Sequence, residues 1–459
     1  MKIKVYVLFS LLIIALVFGP NVISAENNQN YSVLLKEEVD YEAVKLKMEQ
    51  KGIKVIYEIP EIKLLQIKGG LSTIRDLDSI EEIETYNESM NTDSPRHVSN
   101  APEILLQRGT EKDLWERQWD MKEITNNGES YKVFQGTKNV TVGIVDSGVS
   151  REHPDIKNNI VLGSKNLVPK NGWKNSESEE SGDINQIDDR LGHGTSVAGQ
   201  ITANGLMKGV APGVGVKAYR VFGGKSAEAA WVVKGIIEAA KDDVDVINLS
   251  LGEYLLKDGV YSNNGKNDAA EVRAYKKAIH FAYKHGSIVV AAAGNDGVNV
   301  KDQRQLSKLM NNKLKDKGIT VSGTILDMPG ALPKVVTVGS TGPTGELSLF
   351  SNYGEGFLDI VAPGGDYRLL NKYGQEHWLV DGMLEKEFVL TTSMMGGYYY
   401  DCGTSIATPK VSGALALIIE KNNWKDKPNQ SIRHLYKYGV GNKITTGEKK
   451  LNIYNALIH

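Results

Sequence analysis

From position 139 onward the chain alternates short, nearly unbroken apolar runs with helix-length segments, and few folds accept that rhythm. The runs 140–145, 217–222, 244–249, 287–293 and 335–338 are rich in valine, isoleucine and alanine. The stretch after His193 and the segments 231–241 and 271–285 read as helices between them. A strand that is apolar on both faces must be covered on both faces. The pattern therefore predicts an α/β domain whose parallel sheet lies between two layers of helices. Such sheets carry their functional groups at the carboxyl ends of the strands.

The chain has 459 residues, enough for a second, smaller unit. Residues 31–35, 53–59, 62–67 and 80–86 read as strands. Residues 41–52 and 72–78 read as helices, with Val44, Leu46 and Met48 among the apolar positions of the first. The order β-α-β-β-α-β is that of a small α+β unit. Residues 87–100 have little apolar content and predict an exposed linker, open to nicking.

Ahead of this unit, Lys2 and Lys4 precede an apolar run at 5–18 and the small residues Ser24 and Ala25. That is the pattern of a signal peptide covering 1–25. The alternative, an uncleaved anchor, needs about 20 apolar residues to span a bilayer. A secreted, extracellular protein with no stable membrane anchor in its mature form is expected. The formal net charge of −2 provides no field that would select nucleic acid. The one cysteine, Cys402, excludes an intramolecular disulfide.

Three segments carry chemistry. Residues 142–148 read Val-Gly-Ile-Val-Asp-Ser-Gly and place Asp146 at the end of a strand. Alone, this is equally an acid in a turn. Residues 192–199 read Gly-His-Gly-Thr-Ser-Val-Ala-Gly and place His193 at a helix start, between glycines that allow close approach. Residues 401–409 read Asp-Cys-Gly-Thr-Ser-Ile-Ala-Thr-Pro. Ser405 there is either a helix cap or a nucleophile at the positive end of a helix dipole. Pro409 fits a helix start.

Together, in the order Asp, His, Ser, the segments resemble the subtilisin-like serine peptidase family, over roughly residues 115–457. The resemblance implies that Ser405 is the nucleophile, His193 its base and Asp146 the group that orients the imidazole. Residues 289–297 match the family's oxyanion-hole segment, which makes Asn295 the donor. Cys402 then reads as a small buried filler. Residues 248–252 match the substrate-aligning edge, where Ser250, Leu251 and Gly252 would pair with the peptide backbone.

The P1 pocket of the family ends on the strand and loop that 328–339 resemble. Its floor falls on Asp327 and its rim on Asp296. A carboxylate at the floor favours arginine at P1, while a solvated loop aspartate is the bland alternative. The linker itself offers Pro95-Arg96-His97. Cleavage after Arg96 would leave 26–96 as an inhibitor-like propeptide and 97–459 as the catalytic domain, with Arg108 a second candidate. This layout resembles the lantibiotic leader peptidases of the epidermin type. The partners it implies are a lantibiotic precursor with arginine at P1 and the chain's own propeptide. A broad-specificity extracellular protease is the alternative, and a non-enzymatic binding protein on the same fold is a third reading. The chemistry requires no cofactor. Family members often bind Ca2+ through loop oxygens, but the acidic loops 183–189 and 263–268 show no calcium-loop spacing.

Overall fold

The computed structural model describes residues 29–94 and 111–459. The signal-peptide pattern, Arg96, His97 and Arg108 lie outside the described residues.

A nine-stranded sheet organises the larger unit. Its strands run in the order Val440–Lys443, Lys449–Leu451, Ile360–Pro363, Val335–Thr341, Ile288–Ala292, Val246–Leu249, Thr141–Asp146, Gly215–Arg220 and Lys165–Asn166. All neighbours are parallel except the first two, which form an antiparallel pair. Successive side chains of a strand point to opposite faces, and the cores divide accordingly. Val142, Ile144, Val246, Ile288 and Val290 pack with Val197, Ile201, Ala407 and Val411 of the helices His193–Thr202 and Thr404–Asn422. Val145, Ile247, Val289 and Ala291 pack on the other face with Trp231, Ile236 and Ala278 of the helices Ala229–Lys241 and Ala269–Lys284. The expected parallel sheet between two helical layers is the one observed.

The helix Thr404–Asn422 runs through the middle of this body and is buried from Thr404 to Ile419. Its Lys410 is fully buried, 3.0 Å from the equally buried Asp120 and 2.6 Å from Gln200 Oε1. A buried charge needs such a partner. This pair ties the helix to the segment Trp119–Ile124.

The small unit folds as Gln29–Leu35, Tyr41–Gln50, Lys54–Ile59, Leu64–Gly69, Leu71–Asp78 and Ile83–Glu88. Its four strands make an antiparallel sheet in the order second, third, first, fourth. Val33, Val44, Met48, Leu65, Ile67 and Leu77 form its core. Leu46 corrects the expectation: it is 55% exposed. The buried face of its helix is Tyr41, Val44 and Met48, spaced three and four apart, and position 46 falls opposite.

The exposed linker also needs correction. Asn87 and Thr92 are buried, and Asn91–Thr92 pairs antiparallel with Ala227–Glu228 of the larger unit. The polar residues of this stretch meet carboxylates. Glu271 accepts hydrogen bonds from Ser32 Oγ at 2.7 Å, and from Asn87 Nδ2 and Met90 N at 2.9 Å. Glu253 accepts one from Thr92 Oγ1 at 2.9 Å. Glu228 is held by Asn30 Nδ2 at 2.7 Å and by Gln66 Nε2. The interface between the units combines these hydrogen bonds with apolar packing of Leu34, Ile59, Ile62 and Leu64 against the cluster around Trp231, and low apolar content in 87–92 marked hydrogen bonding rather than exposure. Among the described residues no helix is long and apolar enough to cross a membrane.

Candidate active site

Asp146 ends the strand Thr141–Asp146 and is buried. His193 opens its helix, and its Nδ1 lies 2.9 Å from both Asp146 oxygens. The glycines flanking His193 have specific uses. Gly192 has φ +83, a conformation that L side chains rarely adopt. A Cβ on Gly194 would stand 2.1 Å from the Gly148 carbonyl oxygen, so the helix can begin against the Asp146 loop only without one.

Asp189 fastens these two loops together. It accepts from Ser147 Oγ, Gly192 N and Thr195 N at 2.8 Å, and from Thr195 Oγ1 at 2.7 Å. Sequence reasoning missed this role and left Asp189 as one acid of a solvated loop without calcium-loop spacing. The available signal was an acid three residues before Gly192, the position from which a side chain can cap the turn entering a helix. Of the other acids in the two loops, Asp188 pairs with Arg151, and Asp268 accepts from Leu256 N and Tyr261 OH. Among the described residues no group of three or more histidine, cysteine or acidic side chains could hold a metal ion.

Ser405 is the second residue of its helix, which packs against the helix of His193. Pro409 lies inside the first turns of the helix, at its sixth position. A proline there has no N–H to give the carbonyl four residues back, and that carbonyl belongs to Ser405. Ser250 Oγ donates to it instead, at 2.8 Å. The Ser250 side chain is therefore committed to the nucleophile's backbone. Ser250→Ala strands a buried carbonyl, which costs about 1–3 kcal/mol. The expected result is a lower midpoint of urea unfolding together with a lower kcat, and an unchanged midpoint contradicts the assignment.

Asn295 stands beside the same helix start. Its Oδ1 accepts from Thr404 N and Thr404 Oγ1, both at 2.8 Å. With Oδ1 occupied, Nδ2 is the donor that the amide has left for a ligand. Burial pushes the Cys402 thiol well above its ordinary value, so it is no thiolate nucleophile.

Leu251 is buried among the apolar side chains behind the sheet, and Gly252 is exposed. Asp327 lies next to them. A Cβ on Gly252 would be 3.7 Å from Asp327 Oδ1, and one on Gly294 would be 3.2 Å from Asp327 Oδ2. The carboxylate thus sits between the predicted substrate edge and the residue preceding Asn295. It is 3% exposed and accepts from Asn352 Nδ2 at 2.7 Å. Burial pushes its pKa up to about 8. Asp296 is exposed at the mouth, close to Lys313. Sequence reasoning did not identify Asn352, and nothing in its local sequence pointed to a buried carboxylate 25 residues earlier in the chain.

A carboxylate-bound histidine on one helix, a serine at the start of the helix packed against it and an amide anchored to that start are the parts an acyl-transfer site requires. Residues 137–450 match the Subtilase family. The chain belongs to the subtilase family. Within this family of serine peptidases, the chain is similar to the epidermin leader peptide-processing serine protease EpiP of Staphylococcus epidermidis. The two are 43% identical over 474 residues, covering 99% of each. The crystal structure of EpiP from Staphylococcus aureus covers 94% of this chain and 98% of its own, with a TM-score of 0.83 and 40% identity. The nisin leader peptidase NisP from Lactococcus lactis covers 75% of this chain and 94% of its own, with a TM-score of 0.70 and 46% identity. The subtilase fold and its serine peptidase chemistry are what the sequence resemblance implied.

Proposed function

We propose that this subtilase is a secreted leader peptidase that cuts lantibiotic precursors after arginine and removes its own propeptide at Arg96–His97. The observation that carries the reading is the buried Asp327 carboxylate beside Gly252 and Gly294, in a chain related to EpiP along nearly its whole length. In this reading His193 takes the proton of Ser405 as the hydroxyl attacks the scissile carbonyl, and later passes it to the leaving amine. Asp146 holds the imidazole in the required tautomer. Asn295 Nδ2 and the Ser405 N–H receive the oxyanion; losing one such donor costs a subtilisin about 2.7–4 kcal/mol. Ser250, Leu251 and Gly252 align the peptide as an added strand.

The course of the small unit supports self-processing. Its final strand Asn91–Thr92 lies on Ala227–Glu228, and Thr92 reaches Glu253, the neighbour of Gly252. Arg96 follows Thr92 by four residues. The test is a P1-varied peptide library together with a lantibiotic precursor, with the N-terminus of secreted material read by mass spectrometry. Cutting after Pro-Arg and a mature terminus at His97 are expected. Preference for apolar P1 residues would favour a broad-specificity protease and end the leader-peptidase reading.

The interface carboxylates give release of the cut propeptide a pH dependence. Burial, with the negative charge of Asp268 adding to it, raises Glu271 well above its ordinary value and Glu253 to about 7. Groups raised by docking favour it below their ordinary pKa, and that contribution is lost as pH climbs through the docked values. The nicked propeptide should co-elute with the enzyme in size-exclusion chromatography at pH 5 and separate at pH 8. Equal retention at both pH values contradicts this.

A further inference from the structure

The geometry points to Tyr254 as a positioning residue of the arginine pocket, a bridge that fixes the spacing between the floor carboxylate Asp327 and the rim carboxylate Asp296. The inference rests on the reading of Asp327 as the P1 floor and extends it to a second acid.

Tyr254 sits on the strand Glu253–Tyr261, directly across the antiparallel pair from Asp327 on Val321–Met328. Its hydroxyl donates to Asp296 Oδ2 at 2.9 Å and accepts from Asn352 Nδ2 at 2.6 Å. The same Asn352 Nδ2 donates to Asp327 Oδ2 at 2.7 Å. Asn352 Oδ1 closes the loop by accepting from Asp296 N at 3.1 Å and Val298 N at 3.2 Å. Asp296, Tyr254, Asn352 and Asp327 are therefore one continuous hydrogen-bonded chain. Lys313, on the helix Gln303–Leu314, stands 3.3 Å from Asp296 and over the Tyr254 ring, 4.9 Å from its centroid. A cation is thus already accepted at the rim.

The chemistry of the ligand follows. A guanidinium is a planar fork with five donors, whereas an ammonium is one compact centre. Two carboxylates held at a set separation suit the fork, which can address both, better than the ammonium. Without the bridge, Asp296 is held by Lys313 alone and its distance from Asp327 is no longer set, so the pocket keeps its floor charge but loses its fit to arginine. The bridge therefore selects arginine over lysine, while Asp327 selects cations over apolar residues.

The experiment compares Tyr254→Phe with the parent, as full chains, on peptides with arginine, lysine or leucine at P1. Labelling by a fluorophosphonate reports whether the active site is assembled. The ratio of kcat/KM for arginine over lysine should fall roughly three- to tenfold, the size of one lost hydrogen bond. The loss should lie in KM for arginine rather than in kcat. Asp296→Asn, on the exposed rim, reads the other end of the bridge and should lower the same ratio even if Tyr254→Phe does not fold. An unchanged ratio in the folded variants overturns the bridge. Asp327→Asn separates the two levels. If it removes the preference for cations while Tyr254→Phe and Asp296→Asn leave the ratio intact, the bridge alone is wrong. If it leaves that preference intact, the floor assignment fails with it.

Discussion

Ser405→Ala should reduce kcat for peptide hydrolysis by about 10^6-fold, the scale seen when a subtilisin loses its serine, while the chain folds like the parent. The side chain is nearly buried, at 9% exposure, and alanine is the best helix former, so the helix Thr404–Asn422 loses nothing it needs. The bonds around the nucleophile are made by other atoms. Ser250 Oγ binds the Ser405 carbonyl, Asn295 Oδ1 binds Thr404, and Asp146 binds His193. All of these survive the substitution, so the lost activity isolates the hydroxyl. Fluorophosphonate labelling should vanish, and urea unfolding should match the parent. The same variant separates two routes to the mature chain. Purified Ser405→Ala protein should stay joined at Arg96–His97, and processing at that bond in spite of the substitution would assign the cut to another protease.

The features that were legible in the sequence are those fixed by short-range chemistry. Asp146, His193 and Ser405 each sit at a junction of strand or helix with a glycine-containing turn, and the turns at Asp146 and His193 are readable because Gly148 and Gly194 leave no room for a Cβ. The two-faced apolar strands announced the sheet and its two helical layers. What escaped was fixed by partners far along the chain. Asp189 looked like one acid in a solvated loop, yet it clamps the Asp146 and His193 loops. Ser250 was read for its backbone, and its hydroxyl is needed only because Pro409, 159 residues later, withholds an N–H. Residues 87–92 looked like linker because their burial depends on Glu228, Glu253 and Glu271, which no local pattern links to them. The hairpin of Glu253–Tyr261 with Val321–Met328 went unread for a related reason. Its strands are mixed in polarity, and a long connection containing the helix Gln303–Leu314 separates them.

Asp327→Gly should lower kcat/KM for arginine at P1 by about 2–5 kcal/mol, roughly 30-fold to a few thousandfold, and leave leucine at P1 equal or improved. The asymmetry arises because a guanidinium entering the pocket gives up water and needs an anion in return, whereas an alkyl side chain does not. If Asp327 is that floor, no cation pairs with it among the described residues. Asn352 supplies Asp327 a neutral donor, and burial raises the carboxyl to about 8. A pH signature follows, and its sign is fixed. The empty pocket holds its proton below about pH 8, and arginine binds the ionised form. Each unit of pH below that value therefore costs arginine substrates up to about tenfold in kcat/KM, beyond whatever His193 contributes. Leucine substrates need no ionised floor and should follow the His193 limb alone. The difference between the two profiles isolates Asp327 from the shared catalytic groups and should disappear in Asp327→Gly. Superimposable profiles for arginine and leucine in the parent would contradict a floor carboxyl raised by burial, whereas an unchanged arginine preference in Asp327→Gly would place Asp327 outside the P1 pocket.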